Sequence, residues 1–362
     1  MSFIMGKSVC LLALEDTSAH KLINSFEAES MISFIQKMNG TMTLDDLREY
    51  SVEVKPPLNI TFGKYRLFTT EAPSSGAVMF SIFKTMAQYP PEDLADANLT
   101  THRFVEAMKF AYGARLQLGD PAFITNTTAY QAHLLSDDTA RIIRHRILDN
   151  TTQPLEAYDP LSLYLPSPHG TSHIVTADRS GLTVTSTTTI NLLFGAQLLD
   201  PETGIILNNE MDDFSQPGRR NAFGFAPSPA NFIRPRKRPL SSITPLIVEH
   251  AADRSLALAT GAAGGSRIIS ATAWVAWNVL ARGVGLREAV AAPRLHHQLM
   301  PHILKVEEGF VQEEVAALVE KGHGVEWMSP GLSAVQGVAR LADGRFEAVG
   351  EPRQRNSGGY SL

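Results

Sequence analysis

Thr171 follows Gly170 where a proline-rich stretch, Gln153 to His169, gives way to a run rich in Thr and Val. A threonine hydroxyl is a weak nucleophile and needs a base. If the bond before Thr171 is cut, the freed α-amino group supplies one. Its reference pKa of about 7.7–8.0 suits proton transfer near neutrality. Glycine before the cut tolerates the strained backbone that such an attack needs. Taken alone, the dipeptide is equally the end of a linker at the start of a strand.

The surrounding elements must hold Thr171 in place. Thr171 to Asp178, the turn Arg179-Ser180-Gly181 and Leu182 to Ile190 predict a β-hairpin rich in β-branched residues. Further strands are expected at Ile205 to Leu207 and Leu256 to Thr260, with Gly264-Gly265 leading into a helix from Ile268 to about Leu280. A proline-rich loop spans Gln216 to Pro239. Upstream, Ser30 to Lys37 reads as a helix ending near Asn39-Gly40, and Thr43 caps a second one with Asp45 and Asp46 in its first turn. Pro56-Pro57 breaks the chain, and Leu58 to Thr70 forms two strands about Gly63-Lys64. Ala77 to Ala87 and Thr101 to Leu118 read as helices.

Other groupings carry competing chemistry. Glu210, Asp212 and Asp213 could hold a hard cation, but the spacing and turn glycine of an EF-hand loop are absent. His169 and His173 have the i, i+4 spacing of a zinc pair, yet Gly170 and the strand that follows deny them a helix. On a strand, His296 and His297 point to opposite faces. Arg234, Arg236, Lys237 and Arg238 form a basic run within a loop, open to a nucleic acid, a pocket or solvent alike. Trp274 and Trp277 read as helix core.

A series of motifs narrows the field. In order come His169-Gly170-Thr171-Ser172-His173, Thr187-Thr188-Thr189-Ile190-Asn191 with Phe194-Gly195, and Gly204-Ile205-Ile206-Leu207-Asn208-Asn209-Glu210-Met211-Asp212-Asp213-Phe214-Ser215. Then follow Pro239-Leu240-Ser241-Ser242, Thr260-Gly261-Ala262-Ala263-Gly264-Gly265-Ser266-Arg267, Pro293-Arg294-Leu295-His296-His297-Gln298 and Gly359-Tyr360. Together they resemble the γ-glutamyltransferase (γ-glutamyltranspeptidase) family, of eukaryotic, fungal type. Gly40-Thr41-Met42-Thr43, Pro73-Ser74-Ser75-Gly76 and Gly119-Asp120-Pro121 fit it more loosely.

The resemblance implies roles. Gly170-Thr171 is a self-cleavage site, and Thr171 is the nucleophile. Thr189, across the hairpin, orients it. Backbone N–H groups of Gly264 and Gly265 form an oxyanion hole, which glycines before a helix suit because its N-terminus adds positive potential. Asn191, Glu210 and Asp213 hold a substrate α-ammonium group through charge-assisted bonds. Ser241 and Ser242 hold the α-carboxylate. The implied reaction is hydrolysis or transpeptidation of glutathione and other γ-glutamyl amides through a γ-glutamyl-threonine ester. Acceptor amino acids or dipeptides take the acyl group, and no cofactor or metal is called for. A weak or inactive relic, or a related acylase, would carry much of the same sequence.

The fold implied is an α/β (α+β) four-layer αββα sandwich of the N-terminal-nucleophile hydrolase type. Residues 1–170 correspond to a truncated large subunit that includes the linker at 153–169. Residues 171–362 correspond to a small catalytic subunit that stays paired with it after self-cleavage. The family's large subunit is longer and carries an arginine for the α-carboxylate. Nothing before Ser30 matches that region, so weakened carboxylate binding, low activity and an open apolar face are expected, and full activity would mean that Lys109 or Arg115 replaces the arginine.

Composition agrees with an ordinary globular chain. The 362 residues are 44% hydrophobic and 19% charged, with a formal net charge of -5 and one cysteine. No basic field asks for nucleic acid, and no disulfide framework is available. Sequons stand at Asn39, Asn59, Asn98, Asn126 and Asn150, all before Thr171. They point to a secretory route, hence to an extracellular, membrane-associated or vacuolar setting. The apolar patch Ser8 to Leu14 is a weak signal-peptide candidate, because Glu15 and Asp16 follow at once.

Overall fold

A computed structural model describes residues 26–165, 170–220, 226–331 and 333–361. The patch Ser8 to Leu14, His169 and the end of the proline-rich linker lie outside the described residues. Helix α1 (Phe26–Lys37) stops at Asn39, whose φ of 64° ends the helical path. Helix α2 (Leu44–Arg48) begins with a capping box, Thr43 with Asp46. Strands β1 (Leu58–Phe62) and β2 (Tyr65–Thr69) meet at Gly63, with φ 56°, as anticipated. Next come α3 (Gly76–Met86), α4 (Ala97–Arg115), α5 (Thr127–Leu134) and α6 (Asp137–Arg146). Strand β3 (Leu163–Tyr164) precedes the hairpin of β4 (Thr171–Ala177) and β5 (Thr183–Thr189).

Downstream lie β6 (Ala226–Pro227), β7 (Leu246–His250) and β8 (Leu256–Ala263). Helices α7 (Arg267–Leu280) and α8 (Leu286–Ala291) follow, then β9 (Leu295–His296), β10 (Leu304–Glu307), α9 (Gln312–Glu320) and β11 (Val325–Met328). Strands β12 (Ala334–Arg340) and β13 (Phe346–Val349) end the series. The strand expected at Ile205 to Leu207 is only a bridge between Leu199 and Ile206.

The principal sheet has the order β1-β2-β7-β8-β12-β13. It takes two strands from before Thr171 and four from after, so the two segments share one sheet. Helices α3, α7 and α8 pack on one face of the sheet, and α4 packs against α3. Phe83, Phe104, Trp274 and Trp277 fill that interface, with Phe62–Phe83 centroids 5.2 Å apart and Phe104–Trp274 centroids 5.1 Å apart. The β4–β5 hairpin packs on the opposite face, over β8 and β12. Strand β8 is thus covered on both sides, which explains its small residues, Leu-Ala-Leu-Ala-Thr-Gly-Ala-Ala.

Helices, sheet and hairpin supply three layers of the sandwich. The hairpin's outer face carries Ile174, Leu182 and Val184, exposed by 61%, 67% and 52%. The described residues leave that face open, in line with the apolar surface anticipated from the sequence. No described helix is long and apolar enough to cross a membrane.

The hairpin docks through His173. Its ring is buried, with Nδ1 2.8 Å from Thr187 Oγ1 and Nε2 3.1 Å from Thr185 Oγ1. Burial pulls its pKa down to about 4, so the ring is neutral at pH 7. It lies against Gly261 of β8, where an added Cβ would sit 2.3 Å from the ring. Gly261→Ala should therefore lower the unfolding free energy by about 1–3 kcal/mol, as overpacking does. Urea unfolding measures it, and a second change, His173→Ala, should restore part of the loss. An unchanged midpoint for Gly261→Ala would mean that the ring does not sit where the hairpin docks.

Candidate active site

Strand alternation decides which threonines matter. In β4 and β5 the odd-numbered residues face the principal sheet and the even-numbered ones face out. Thr171 and Thr189 are direct partners in the antiparallel register, both on the inner face. Thr171 Oγ1 is 3.4 Å from Thr189 Oγ1, which donates in turn to the Gly170 carbonyl at 3.0 Å. The Ile190 N–H approaches the same carbonyl at 3.4 Å. The Asn191 N–H donates to Thr189 Oγ1 at 2.8 Å. The uncut carbonyl thus already has a hydroxyl and an amide aimed at its oxygen. Gly170 is required for space: a Cβ would meet Leu192 O at 2.3 Å and Asn191 O at 2.5 Å. Its φ lies outside the left-handed range, so close approach and not a special backbone conformation selects glycine.

Asn191 continues the site with φ 72° and its side chain buried. Its Nδ2 donates to Asn209 O at 2.9 Å, which ties the end of β5 to the loop ahead of Glu210. A short 3₁₀ turn, Glu210–Asp213, then presents two acids on one side. Glu210 hydrogen-bonds with both Thr189 and Asp213. Asp212 faces outward and accepts from Asn209 Nδ2 at 2.7 Å, so it does not join a three-acid cation site. Burial, then the neighbouring Glu210, pushes the Asp213 carboxyl up to about 8. Burial raises Glu210 as well. Burial and their mutual repulsion favour one proton shared between the two carboxyls at neutral pH.

Ser241 and Ser242 lie on a loop pinned to Pro73 to Ser75. Ser241 N–H donates to Pro73 O at 2.7 Å, and Ser75 Oγ donates to Ser241 O at 2.6 Å. Ser242 is buried and accepts from Arg115 Nη2 at 2.9 Å. Arg115 in turn lies within electrostatic range of Asp213. A continuous path therefore runs Thr171, Thr189, Glu210, Asp213, Arg115, Ser242. Gly264 and Gly265, with φ 136° and 62°, form the turn from β8 into α7. Their conformations favour glycine. They follow Gly261, the residue against which His173 packs.

The remaining candidates resolve differently. Lys109, offered beside Arg115 as a substitute cation, instead pairs with Glu106 at 2.5 Å. That pair sits in a cluster with Thr152, Tyr158, His102 and His323. His102, Glu106 and His323 are a grouping of metal-ligand types that the sequence reading did not anticipate. His102 Nδ1 and His323 Nε2 are 2.8 Å apart, and the Lys109 ammonium already occupies Glu106, so the network is closed. His102 stands 13 residues before Arg115 on α4, about 20 Å along the axis.

Both ring nitrogens of His173 are bonded to threonines, which removes it from a zinc pair. Arg236 and Arg238 pair with Glu49 and Glu53, and Lys237 donates to Ala230 O and Phe232 O. The basic run thus clamps its own chain. Trp274 and Trp277 are buried core, as expected.

Residues 11–361 match the γ-glutamyltranspeptidase family model, which therefore begins upstream of Ser30. A glutathione hydrolase proenzyme of Arthroderma benhamiae is 48% identical over 333 residues, 92% of this chain and 57% of its own length. A glutathione hydrolase of Aspergillus flavus is 41% identical over 334 residues, 92% of this chain and 56% of its own. The chain thus spans little more than half the length of these relatives. Among solved structures, a cephalosporin acylase from Bacillus halodurans matches with a TM-score of 0.74 and 22% identity. It covers 92% of this chain and 58% of that one, and it speaks for the fold alone.

The shared proton has a consequence for stability. An Asp213 raised from 3.8 to about 8 binds a proton in the folded state that the unfolded chain has lost. Its contribution is therefore complete below about pH 4 and disappears as pH rises through about 8. Asp213→Asn should flatten that part of the profile. Urea midpoints of both proteins at pH 5, 6, 7 and 8 test this, and parallel profiles would refute it.

Proposed function

The chain belongs to the γ-glutamyltranspeptidase family, and on that footing we propose that it acts on glutathione and related γ-glutamyl amides after cutting itself before Thr171. One observation carries the reading. Asn191 Oδ1, Glu210 Oε1 and Asp213 Oδ1 are buried acceptors with no hydrogen-bond partner among the described residues. They lie next to Thr189, which touches Thr171. Buried acceptors left unpaired are costly, about 1–3 kcal/mol each. An ammonium group offers three donors and a positive charge, and so satisfies all three atoms at once. The α-ammonium of a γ-glutamyl group fits. Its α-carboxylate then turns toward Ser241 and Ser242.

Self-cleavage follows from the same geometry. Thr171 Oγ adds to the Gly170 carbonyl, and the oxyanion is met by the Thr189 hydroxyl and the Ile190 N–H. The Thr171 nitrogen leaves with a proton, giving an ester that water hydrolyses. The free α-amine then serves as base for the next attack by Thr171, on the γ-carbonyl of a substrate. Gly264 and Gly265 N–H groups stabilise that oxyanion. The leaving amine departs with the proton held by the α-amine. Water or an acceptor amino acid or dipeptide takes the γ-glutamyl group from the threonine ester. The two resulting segments stay together through the shared six-stranded sheet. The sequons support a secretory setting: Asn39, Asn59, Asn126 and Asn150 are exposed, and Asn98 is half-buried.

Two measurements test this. Intact mass should resolve the protein into two chains, the smaller beginning at Thr171, whereas Thr171→Ala should remain whole. Thr189→Val should slow self-cleavage by about a hundredfold to a thousandfold, the effect of losing one oxyanion donor. Cleavage of Thr171→Ala at the same bond would point to an outside protease and refute the mechanism. Release of 4-nitroaniline should be fast from γ-glutamyl-4-nitroanilide and at least tenfold slower from the glutaryl analogue, which lacks the ammonium. Equal rates would remove the glutamyl assignment in favour of a broader acylase.

A further inference from the structure

Arg115 ends helix α4 with its side chain 5% exposed. Its Nε donates to Ser75 Oγ at 3.0 Å and its Nη2 to Ser242 Oγ at 2.9 Å. Two other buried arginines meet a carboxylate: Arg103 meets Asp149 at 2.6 Å, and Arg294 meets Glu351 at 2.6 Å. No ion pair is recorded for Arg115 among the described residues. Its hydrogen bonds go to hydroxyl groups and Asp213 reaches it only at longer electrostatic range, so no carboxylate oxygen balances its charge by contact.

The two hydroxyls differ in what they do with their own protons. Ser75 spends its proton on the Ser241 carbonyl at 2.6 Å. Ser242 has its lone pair taken by Arg115, so its O–H is turned away from the guanidinium. Ser242 thereby keeps its O–H available to donate, polarised by the cation behind it.

We propose that Arg115 is a specificity-determining positioning residue, which holds Ser242 as a donor to the substrate α-carboxylate and supplies the positive charge that this carboxylate balances. The inference rests on the reading of the site as a γ-glutamyl pocket. It adds that selection for the carboxylate depends on a residue that reaches it through Ser242. An arginine suits this task because its planar fork spans Ser75 and Ser242 together. It also joins the two serine-bearing loops to the end of α4, so the donor's direction is set by the helix.

The experiment uses the whole chain and titration calorimetry with L-glutamate and with 4-aminobutanoate, which lacks only the α-carboxylate. The unaltered protein should prefer L-glutamate. Arg115→Met should weaken L-glutamate by about tenfold to a hundredfold, the range for a bond to a charged group. It should leave 4-aminobutanoate within about twofold. With γ-glutamyl-4-nitroanilide the loss should fall on KM, with kcat within about threefold. Arg115→Lys keeps the charge without the fork and should lie between. Should Arg115→Met not fold, Arg115→Lys is compared with and without Ser242→Ala. Its effect should vanish once Ser242 is gone. Equal weakening of both ligands, a loss confined to kcat, or an effect that persists without Ser242 would overturn the role of Arg115. An unaltered protein that does not distinguish the two ligands would instead overturn the γ-glutamyl reading, and the role with it.

Discussion

The register that sets Thr171 opposite Thr189 is the constraint on which the rest of the site depends. A slip of one residue would turn every side chain of β5 to the other face. Thr188 and Ile190 would then replace Thr189, and neither would reach both Thr171 and the Gly170 carbonyl. The hairpin does not rely on its turn alone to prevent this. His173 is fastened to Thr187 and Thr185 and seated on Gly261, so a shift would leave a buried imidazole without partners. The pin that fixes the register stands two residues from the nucleophile, where a small error in register has the largest effect on the chemistry.

Around that hairpin the site separates opposite charges. Glu210 and Asp213 gather acceptors on one side of Thr189, and Arg115 stands behind Ser242 on the other. Neither half is closed by the protein. The acids share a proton and the guanidinium has only hydroxyl groups, so each half is left in want of a counter-charge. A zwitterion such as the α-amino acid head of a γ-glutamyl group offers both. A protein that paired Arg115 directly with Asp213 would be more settled without a ligand and would have less to offer one. This arrangement follows from elements far apart in the chain, the end of α4, the 3₁₀ turn at Glu210 and the loop at Ser241, converging at one edge of the sheet.

Local patterns carried much of the fold. Alternating β-branched residues about Arg179-Ser180-Gly181 made the hairpin legible, and Gly63-Lys64 did the same for β1 and β2. Capping at Thr43 and the periodicity of α3 and α7 were equally plain. Strands β12 and β13 were not anticipated: Ala-Val-Gln-Gly-Val-Ala-Arg has a glycine in its middle and little alternation, because its burial is set by neighbours on both faces. The motif residues of the site could be named from the sequence, but their mutual geometry could not. Arg115 and Lys109 were equal candidates in the sequence, two basic residues on one helix, with nothing to separate them. Only folding brings Arg115 to Ser242, 127 positions away. His102 and His323, 221 positions apart, were hidden for the same reason.

The Gly170 carbonyl, tucked between Thr189 and the backbone of Asn191 and Leu192, gives self-cleavage a direction. As an amide it is neutral and is held by the Thr189 hydroxyl and the Ile190 N–H. Under the proposed self-cleavage, hydrolysis would turn it into a carboxylate, an added negative charge close to Thr189 and the acids beyond it. The charges that would draw an ammonium inward would push that new chain end away. Rejoining the ends would require that anion to return against the field. Maturation as proposed would work as a ratchet, in which the break itself vacates the place where a substrate would sit.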